Sequence, residues 1–118
     1  MKTTKVAAAV LAAVLSTGFV SAQNHKPVTI KFPTAGASGA LYAVGAAITN
    51  MWDSKISFVK ASSQASNGGI DNLNQIADGE SQVSIAISSN CYQSFNGTDS
   101  FKGAANKKLR VIAGLYFN

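Results

Sequence analysis

The sequence has 118 residues, a formal net charge of +5 and a single cysteine. A chain of this size can bury one modest core, so it forms one domain or part of one. The lone cysteine excludes an internal disulfide, and the positive charge is too weak to argue for nucleic-acid binding. The composition therefore indicates a small domain that does not bind nucleic acid.

The first 22 residues have the pattern of a signal peptide. Lys2 and Lys5 supply a positive start, an apolar stretch of roughly ten residues follows, and Val20 and Ala22 mark a cleavage site. The apolar stretch falls short of the roughly 20 residues that a membrane-spanning helix needs, although a retained anchor is the alternative. We therefore expect an exported protein whose mature chain begins near Gln23.

The first part of the mature chain alternates between two periodicities. The alternation of apolar and polar residues over 28–32 predicts a strand that Pro33 ends. Apolar residues then recur every three or four positions over 39–52, which predicts a helix with Ser38 as its N-cap. A second strand is predicted at 56–59, before the polar run 61–69. These elements predict a βαβ unit.

The second part continues this order. Residues 70–77 have helical spacing, with Asp71 in the first turn and Gly79 as the stop. A third strand is predicted at 83–87, a short helix at 90–96 and a turn at Asn96-Gly97. The mostly apolar run 109–117 predicts a buried strand. Strands that alternate with helices predict an α/β fold with a mainly parallel sheet and flanking helices.

Three junctions between predicted strands and helices are rich in small and polar residues, at 34–39, 62–69 and 88–90. In an open α/β sheet, ligands bind beyond the carboxyl ends of the strands, where helix N-termini present free N–H groups. The three junctions would therefore line one cleft suited to a carboxylate. Any one of them alone is more typical of an ordinary connection, whereas three in register favour the structural and the ligand-binding interpretation about equally.

The expected ligand-binding residues lie at the first and third junctions. They are Ala37, Ser38, Gly39, Tyr42, Ser88, Ser89 and Tyr92. The small residues offer backbone amides and hydroxyls, and the two tyrosines could stack on a ligand or close over it. The alternative role of the tyrosines is core packing. Removal of Lys2 and Lys5 lowers the net charge from +5 to +3, which suits an anionic ligand slightly better than a cationic one.

Neither catalysis nor a cofactor is indicated. The stretch 36–39 lacks the GxGxxG spacing, and no Gly-Lys-Ser/Thr follows it, so nucleotide binding is not supported. His25 is the only histidine and lies beside the predicted cleavage site, while Cys91 is better explained as a packed thiol. No cluster of metal-ligating residues is evident. We therefore expect a binding protein, with no catalytic residue, metal or cofactor, rather than an enzyme.

Five segments carry a resemblance to a known family. A glycine-rich stretch ending in Tyr-Tyr-Pro-x-Gly corresponds to residues 34–45, and a Ser-Val-Glu-Asn-Leu-like segment corresponds to 69–73. Three further family segments follow in order: Gly-Glu-Ala-Asp over 79–82, Gln-Ser-Asp with Ala-Tyr-x-Ala-Tyr-Asn-Gly over 87–97, and Leu-Arg-x-Ile-Ala-x-Leu-Tyr over 109–116. In the order and spacing of these segments, residues 28–116 resemble the N-terminal part of the TAXI-type solute receptors of TRAP transporters.

The resemblance implies a periplasmic-binding-protein-like (type II) fold, in which two α/β lobes close on a small organic anion such as a dicarboxylate or an acidic amino acid. It also implies a periplasmic receptor that delivers this solute to the membrane subunit of a TRAP transporter. Residues 23–118 would then form the N-terminal part of the first lobe, with the rest of the protein after Asn118. The alternative is an exported sensory or surface interaction protein that uses the same fold without transport.

Overall fold

The computed structural model describes residues 25–115, so the predicted signal peptide lies outside the described residues. The elements in chain order are β1 (Val28–Pro33), α1 (Ala40–Lys55), β2 (Val59–Gln64), α2 (Gly69–Ala77), α3 (Ser88–Asn96) and a 3-10 helix (Asp99–Phe101). Within residues 25–115, no helix combines the length and the apolarity needed to cross a bilayer.

The sheet is built from β1 and β2, which pair in parallel. The register runs from Val28 opposite Val59 to Pro33 opposite Gln64, and α1 forms the connection between the two strands. Parallel strands need such a crossover because the chain must return to the end of the sheet where the first strand began, which a tight turn cannot do. The structure confirms the predicted α/β class, with a parallel sheet and flanking helices.

Helix α1 packs closely on the carboxyl-terminal half of this sheet. Its Trp52 ring stacks on Phe32 of β1, with 5.6 Å between the ring centroids. Gly45 lies buried on the inner side of the helix, where a Cβ atom would overlap Thr34 Cγ2 and lie 3.1 Å from Ser63 Oγ. The absence of a side chain at Gly45 therefore lets the helix backbone approach the end of β1.

The apolar core is small and borders on buried polar groups. Phe32, Val59, Leu73 and Phe101 are the buried hydrophobic residues of the described chain. Buried polar side chains accompany them, namely Thr34, Thr49, Asn72, Ser81 and Ser94. A buried polar side chain costs free energy unless it makes hydrogen bonds, so the partners of these groups show what holds the loops near the core.

The three predicted helices are formed, with ends that differ from the predicted ones by up to three residues. The predicted helices at 39–52, 70–77 and 90–96 correspond to α1, α2 and α3, and Gly79 lies just beyond α2 with a φ of +78°. The prediction of Ser38 as the N-cap of α1 is wrong. Gly39 is the N-cap of α1, and no side chain forms a capping hydrogen bond there.

The second strand was predicted several residues too early. Ile56 is the C-cap of α1, and its amide donates to the carbonyl oxygen of Trp52. β2 begins at Val59 and continues to Gln64, through serines that were assigned to a loop. The extent of β2 is set by backbone pairing with β1 rather than by its own hydropathy, which is why alternation alone misplaced it.

The predicted strand at 83–87 is not formed. This segment passes the end of β1, where the Ile85 amide donates to the Pro33 carbonyl oxygen at a long 3.5 Å. Two further hydrogen bonds hold the segment and the residue before it, and both involve side chains: Gln82 Oε1 accepts from the Lys31 amide, and the Ile85 carbonyl oxygen accepts from Asn72 Nδ2. A strand needs a repeated backbone ladder, and side chains occupy its place here.

The prediction of a buried strand at 109–117 is also wrong over the residues that the structure describes. Residues 109–115 form neither helix nor strand, and the side chains of Val111, Ile112 and Leu115 are exposed by 75%, 81% and 51%. Residues 116 and 117 lie outside the described residues. An apolar run becomes a strand only where a neighbouring strand pairs with it, and none does so within 25–115.

Candidate functional site

The first two junctions meet beyond the carboxyl ends of β1 and β2. Thr34, directly after β1, donates to the Gln64 carbonyl oxygen through both its amide (3.0 Å) and its hydroxyl (3.1 Å). One residue further on, the Ala35 carbonyl oxygen accepts from the Ser66 amide at 3.1 Å. The pairing of the two strands thus extends into both loops, which fixes the first junction against the second.

The third junction lies against the second. A Cβ atom built on Gly69, the first residue of α2, would lie 3.0 Å from Asn90 Nδ2 and 3.5 Å from the Cα of Ala86. The amide side chain of Asn72, one turn further along α2, is hydrogen-bonded both to the end of β1 and to the segment that leads to α3. The three junctions therefore form one continuous region of the fold.

The N-termini of α1, α2 and α3 lie in this region, and none has a side-chain cap. Their N-cap residues are Gly39, Gly68 and Ile87, which carry no side-chain acceptor. Among residues 25–115, no oxygen accepts a hydrogen bond from the first-turn amides, which are those of Ala40 and Leu41 in α1, Gly69, Ile70 and Asp71 in α2, and Ser88, Ser89 and Asn90 in α3. Unpaired amides at a helix N-terminus, together with the helix dipole, favour an anion.

The predicted site residues are distributed around these N-termini. Ala37, Ser38, Ser88 and Ser89 are exposed, while Gly39 and Tyr42 are half-buried at the start of α1. The serine and threonine hydroxyls that form hydrogen bonds among the described residues are those of Thr34, Thr49, Ser54 and Ser66, so the hydroxyls of Ser38, Ser88 and Ser89 are free to bind a ligand. Tyr92 is 70% exposed, so it does not pack in the core. The structure brings the first and third junctions into one region, and it shows no direct hydrogen bond between their side chains.

Few charges accompany the three helix N-termini. Asp71 is the one acidic residue in the first turns of the three α-helices, and its Oδ2 accepts from the Asn67 amide at 3.0 Å. Lys60 is the basic residue of β2, and its Nζ forms an ion pair with Asp53 Oδ1 on α1 at 3.5 Å. The region therefore offers neutral N–H and O–H donors rather than a guanidinium or an ammonium group.

The described residues contain no group of three or more His, Cys, Asp or Glu side chains placed to hold a metal ion. Cys91 lies in the first turn and a half of α3, and burial raises the pKa of its thiol more than a backbone hydrogen bond lowers it. A raised pKa keeps the sulfur protonated near neutral pH, so this thiol is not an activated nucleophile.

A separate surface depression of about 430 Å³ lies elsewhere. It is lined by Ala77, Ala104, Ala105, Asn106, Lys107 and Lys108. Ala77 is the last residue of α2, so the depression lies at the end of that helix opposite to the junctions. Lys107 Nζ lies 4.3 Å from the centre of the Phe95 ring and 3.4 Å from Asn96 Oδ1, so this ammonium group already has two partners within the protein. We therefore place the candidate site at the junctions and not in this depression.

Sequence reasoning missed Asn72. Its side chain is fully buried, with Nδ2 at 2.8 Å from the Thr34 carbonyl oxygen and at 2.7 Å from the Ile85 carbonyl oxygen. The available signal was an asparagine on the same helical face as Leu73 and Ile76, where an apolar residue would be expected. The bonding partners are 38 and 13 residues away along the chain, so local patterns could not identify them.

Comparison with protein families decides the broad class. The sequence profile of the NMT1-like family matches residues 32–118. The chain belongs to the NMT1-like family. This is a periplasmic solute-binding-protein-like family, and it is generally non-enzymatic. Its fold is periplasmic-binding-protein-like, in agreement with the parallel βαβ unit described above, and membership implies an extracytoplasmic solute-binding role. The position of the three junctions at the carboxyl edge of the sheet is where this class of fold binds its ligands.

Proposed function

We propose that this member of the NMT1-like family is a periplasmic receptor for a small organic anion, a dicarboxylate or an acidic amino acid. The supporting observation is the meeting of three uncapped helix N-termini beyond the carboxyl ends of β1 and β2. In this proposal the amides of α1, α2 and α3 hold a carboxylate, and Ser38, Ser88 and Ser89 add hydroxyl donors. Ala37 and Gly39 shape the loop so that the backbone reaches the solute, and Tyr42 and Tyr92 flank it.

The three helix N-termini of this lobe would bind an anion only weakly by themselves. One helix N-terminus contributes about 0.3–1 kcal/mol to the binding of an anion at an exposed site, and up to about 2 kcal/mol where the site is partly buried. Three such termini supply at most about 6 kcal/mol, whereas a micromolar dissociation constant corresponds to about 8 kcal/mol. Further contacts must therefore come from a second surface, which is the role of the second lobe in a two-lobed receptor.

The delivery partner follows from the same proposal. The resemblance of residues 28–116 to TAXI-type receptors supports a TRAP transporter as the recipient of the solute. A receptor of this kind is exported, and the signal-peptide pattern of residues 1–22 agrees with that location. The closed, solute-bound form would dock on the membrane subunit and release the solute there.

The experiment is a thermal unfolding series on the full-length mature protein with a panel of dicarboxylates and amino acids. Binding to the native state stabilises it by an amount that grows with the logarithm of the ligand concentration above the dissociation constant, so a solute should reveal itself as a concentration-dependent rise in the melting temperature. Ser38→Ala and Ser88→Ala should reduce that rise. Ser54→Ala is the matched control, because Ser54 lies near the end of α1 and donates to Met51 within its own helix.

The opposite result would contradict the proposal. If no anion raises the melting temperature, the receptor function fails and an interaction module without a solute becomes the better description. If the rise is the same in Ser38→Ala, Ser88→Ala and Ser54→Ala, the protein binds an anion but not through these hydroxyls.

A further inference from the structure

We infer that Asn72 is a positioning residue that holds the first and third junctions at a fixed separation, so that α1 and α3 present their N-termini to the same solute. The inference rests on the proposed function, since it concerns the geometry of the proposed anion site. It also makes a claim about local structure that can be tested without any ligand.

The hydrogen bonds of Asn72 define this role. Its Nδ2 atom lies 2.8 Å from the carbonyl oxygen of Thr34, the first residue of the first junction. The same atom lies 2.7 Å from the carbonyl oxygen of Ile85, three residues before α3 begins. A primary amide has two N–H bonds, and both are used here. One side chain on α2 therefore joins the end of β1 to the approach to α3.

No other strong bond performs this task among the described residues. The backbone bond between Ile85 and Pro33 is 3.5 Å long, at the weak limit of hydrogen bonding. Gln82 also holds the segment to β1, but its Oε1 accepts from the amide of Lys31, nearer the middle of the strand. The two short bonds from Asn72 are thus the main restraint on residues 85–87, and through them on the first turn of α3.

The chemistry of the site explains why an amide is present at a core position. Asn72 is completely buried, and its Oδ1 has no hydrogen-bond partner in the described chain. A leucine has the same number of side-chain heavy atoms and the same branching and would bury no unpaired acceptor, so asparagine is a costly choice for packing alone. A hydrocarbon side chain lacks the two N–H donors of Asn72, which satisfy the buried carbonyl oxygen of Thr34 and the partly buried carbonyl oxygen of Ile85.

The positions of Gly69 and Asn72 on α2 connect the hydrogen bonds of Asn72 with the proposed anion site. Gly69, one turn before Asn72, provides one of the free amides and lies against Asn90 of α3. Residues 69 and 72 are neighbours on one face of a helix. The restraint by Asn72 and the contact between α2 and α3 therefore act on the same side of the helix, directly behind the proposed anion site.

The first test uses the wild-type full-length protein without ligand. The side-chain NH₂ protons of Asn72 should exchange with solvent at least about a hundredfold more slowly than those of Asn74, which is exposed on the same helix. Equal exchange rates for the two side chains would overturn the inference. This outcome does not depend on whether the protein binds an anion.

The second test separates positioning from general stability. Asn72→Leu removes both donors, whereas Thr49→Val removes a buried hydroxyl that bonds only within α1, to the Gly45 and Ala46 carbonyl oxygens. With succinate as the probe, calorimetry at a temperature where both variants remain folded should show at least about a tenfold loss of affinity for Asn72→Leu. Thr49→Val should stay within about twofold of wild type, and Asn72→Gln, which keeps both donors, should recover part of the loss.

Hydrogen exchange of residues 85–91 should rise selectively in Asn72→Leu and stay unchanged in Thr49→Val. Equal loss of affinity in both variants, or unchanged exchange in Asn72→Leu, would overturn the inference. If wild type binds neither succinate nor another anion while residues 85–91 still loosen in Asn72→Leu, the proposed function fails and the restraint by Asn72 stands.

Discussion

Substitution of Gly45 by alanine should loosen the contact between α1 and the sheet. The added Cβ would overlap Thr34 Cγ2 and lie 3.1 Å from Ser63 Oγ. Thr34 cannot turn aside freely, because it is 1% exposed and its hydroxyl donates to the Gln64 carbonyl oxygen. Overpacking of this kind costs about 1–3 kcal/mol, and loss of the Thr34 hydrogen bond would add about 1 kcal/mol.

One effect opposes this cost. Alanine is a better helix former than glycine by about 1 kcal/mol in a helix interior. The net change in the free energy of unfolding should therefore be a loss of about 1–3 kcal/mol. Urea denaturation of the full-length mature protein, followed by circular dichroism, would measure this loss as a lower midpoint at constant slope.

The matched control is Gly36→Ala. No atom lies within 4 Å of a Cβ built at Gly36, and the residue is exposed, so its stability should change by no more than about 0.5 kcal/mol. If Gly45→Ala were as stable as wild type, the close approach of α1 to Thr34 would be refuted. Equal destabilisation by Gly36→Ala and Gly45→Ala would likewise show that the loss has another cause.

Three further predictions concern the second half of the chain. Gly97→Ala should lower the free energy of unfolding by about 1–3 kcal/mol, because Gly97 has a φ of +69° and its Cβ would lie 2.9 Å from Ala105; an unchanged urea midpoint would contradict this. Leu73→Ala should cost about 2–5 kcal/mol, because Leu73 is 1% exposed, and a loss below about 1 kcal/mol would contradict its core position. Alkylation of Cys91 by iodoacetamide should reach its half-maximal rate at a higher pH than that of a free thiol, because burial raises the thiol pKa and thiolate forms later as pH rises; a midpoint at or below that of the free thiol would refute this.

The helices were predictable because their signals are local. Apolar residues spaced three or four apart identify α1 and α2, and Gly79 marks the end of α2 within the sequence itself. The alternation that identified β1 is equally local. The N-cap of α1 was not predictable in this way. Ser38 has the preferred residue type, but the chain enters the helix one residue later, at Gly39.

The strands beyond β1 show the limit of local patterns. β2 runs through two serines because β1 pairs with it there, and the apolar runs at 83–87 and 109–115 form no strand because no ladder reaches them within the described chain. Pairing is a property of two segments that are distant in sequence, so the hydropathy of one segment cannot establish it.

The candidate site was predictable in outline and not in its internal support. The small polar stretches predicted to follow three strands are visible in the sequence, and the structure places them side by side, although the third, 88–90, forms the first turn of α3 and follows no strand. The restraint by Asn72 spans 38 residues to Thr34, and the approach of Gly69 to Asn90 depends on the packing of α2 against α3. Both arise from tertiary packing, which no spacing rule encodes.

The central claim, that three helix N-termini form one anion site, is tested most directly by a titration followed residue by residue. Succinate and glutamate would be added to the ¹⁵N-labelled full-length mature protein, with the backbone amides observed by NMR. Saturable shifts with one common dissociation constant are expected for the amides that begin α1, α2 and α3, represented by Ala40, Gly69 and Ser88. Shifts confined to residues 104–108, or no saturable shift with any anion, would contradict it.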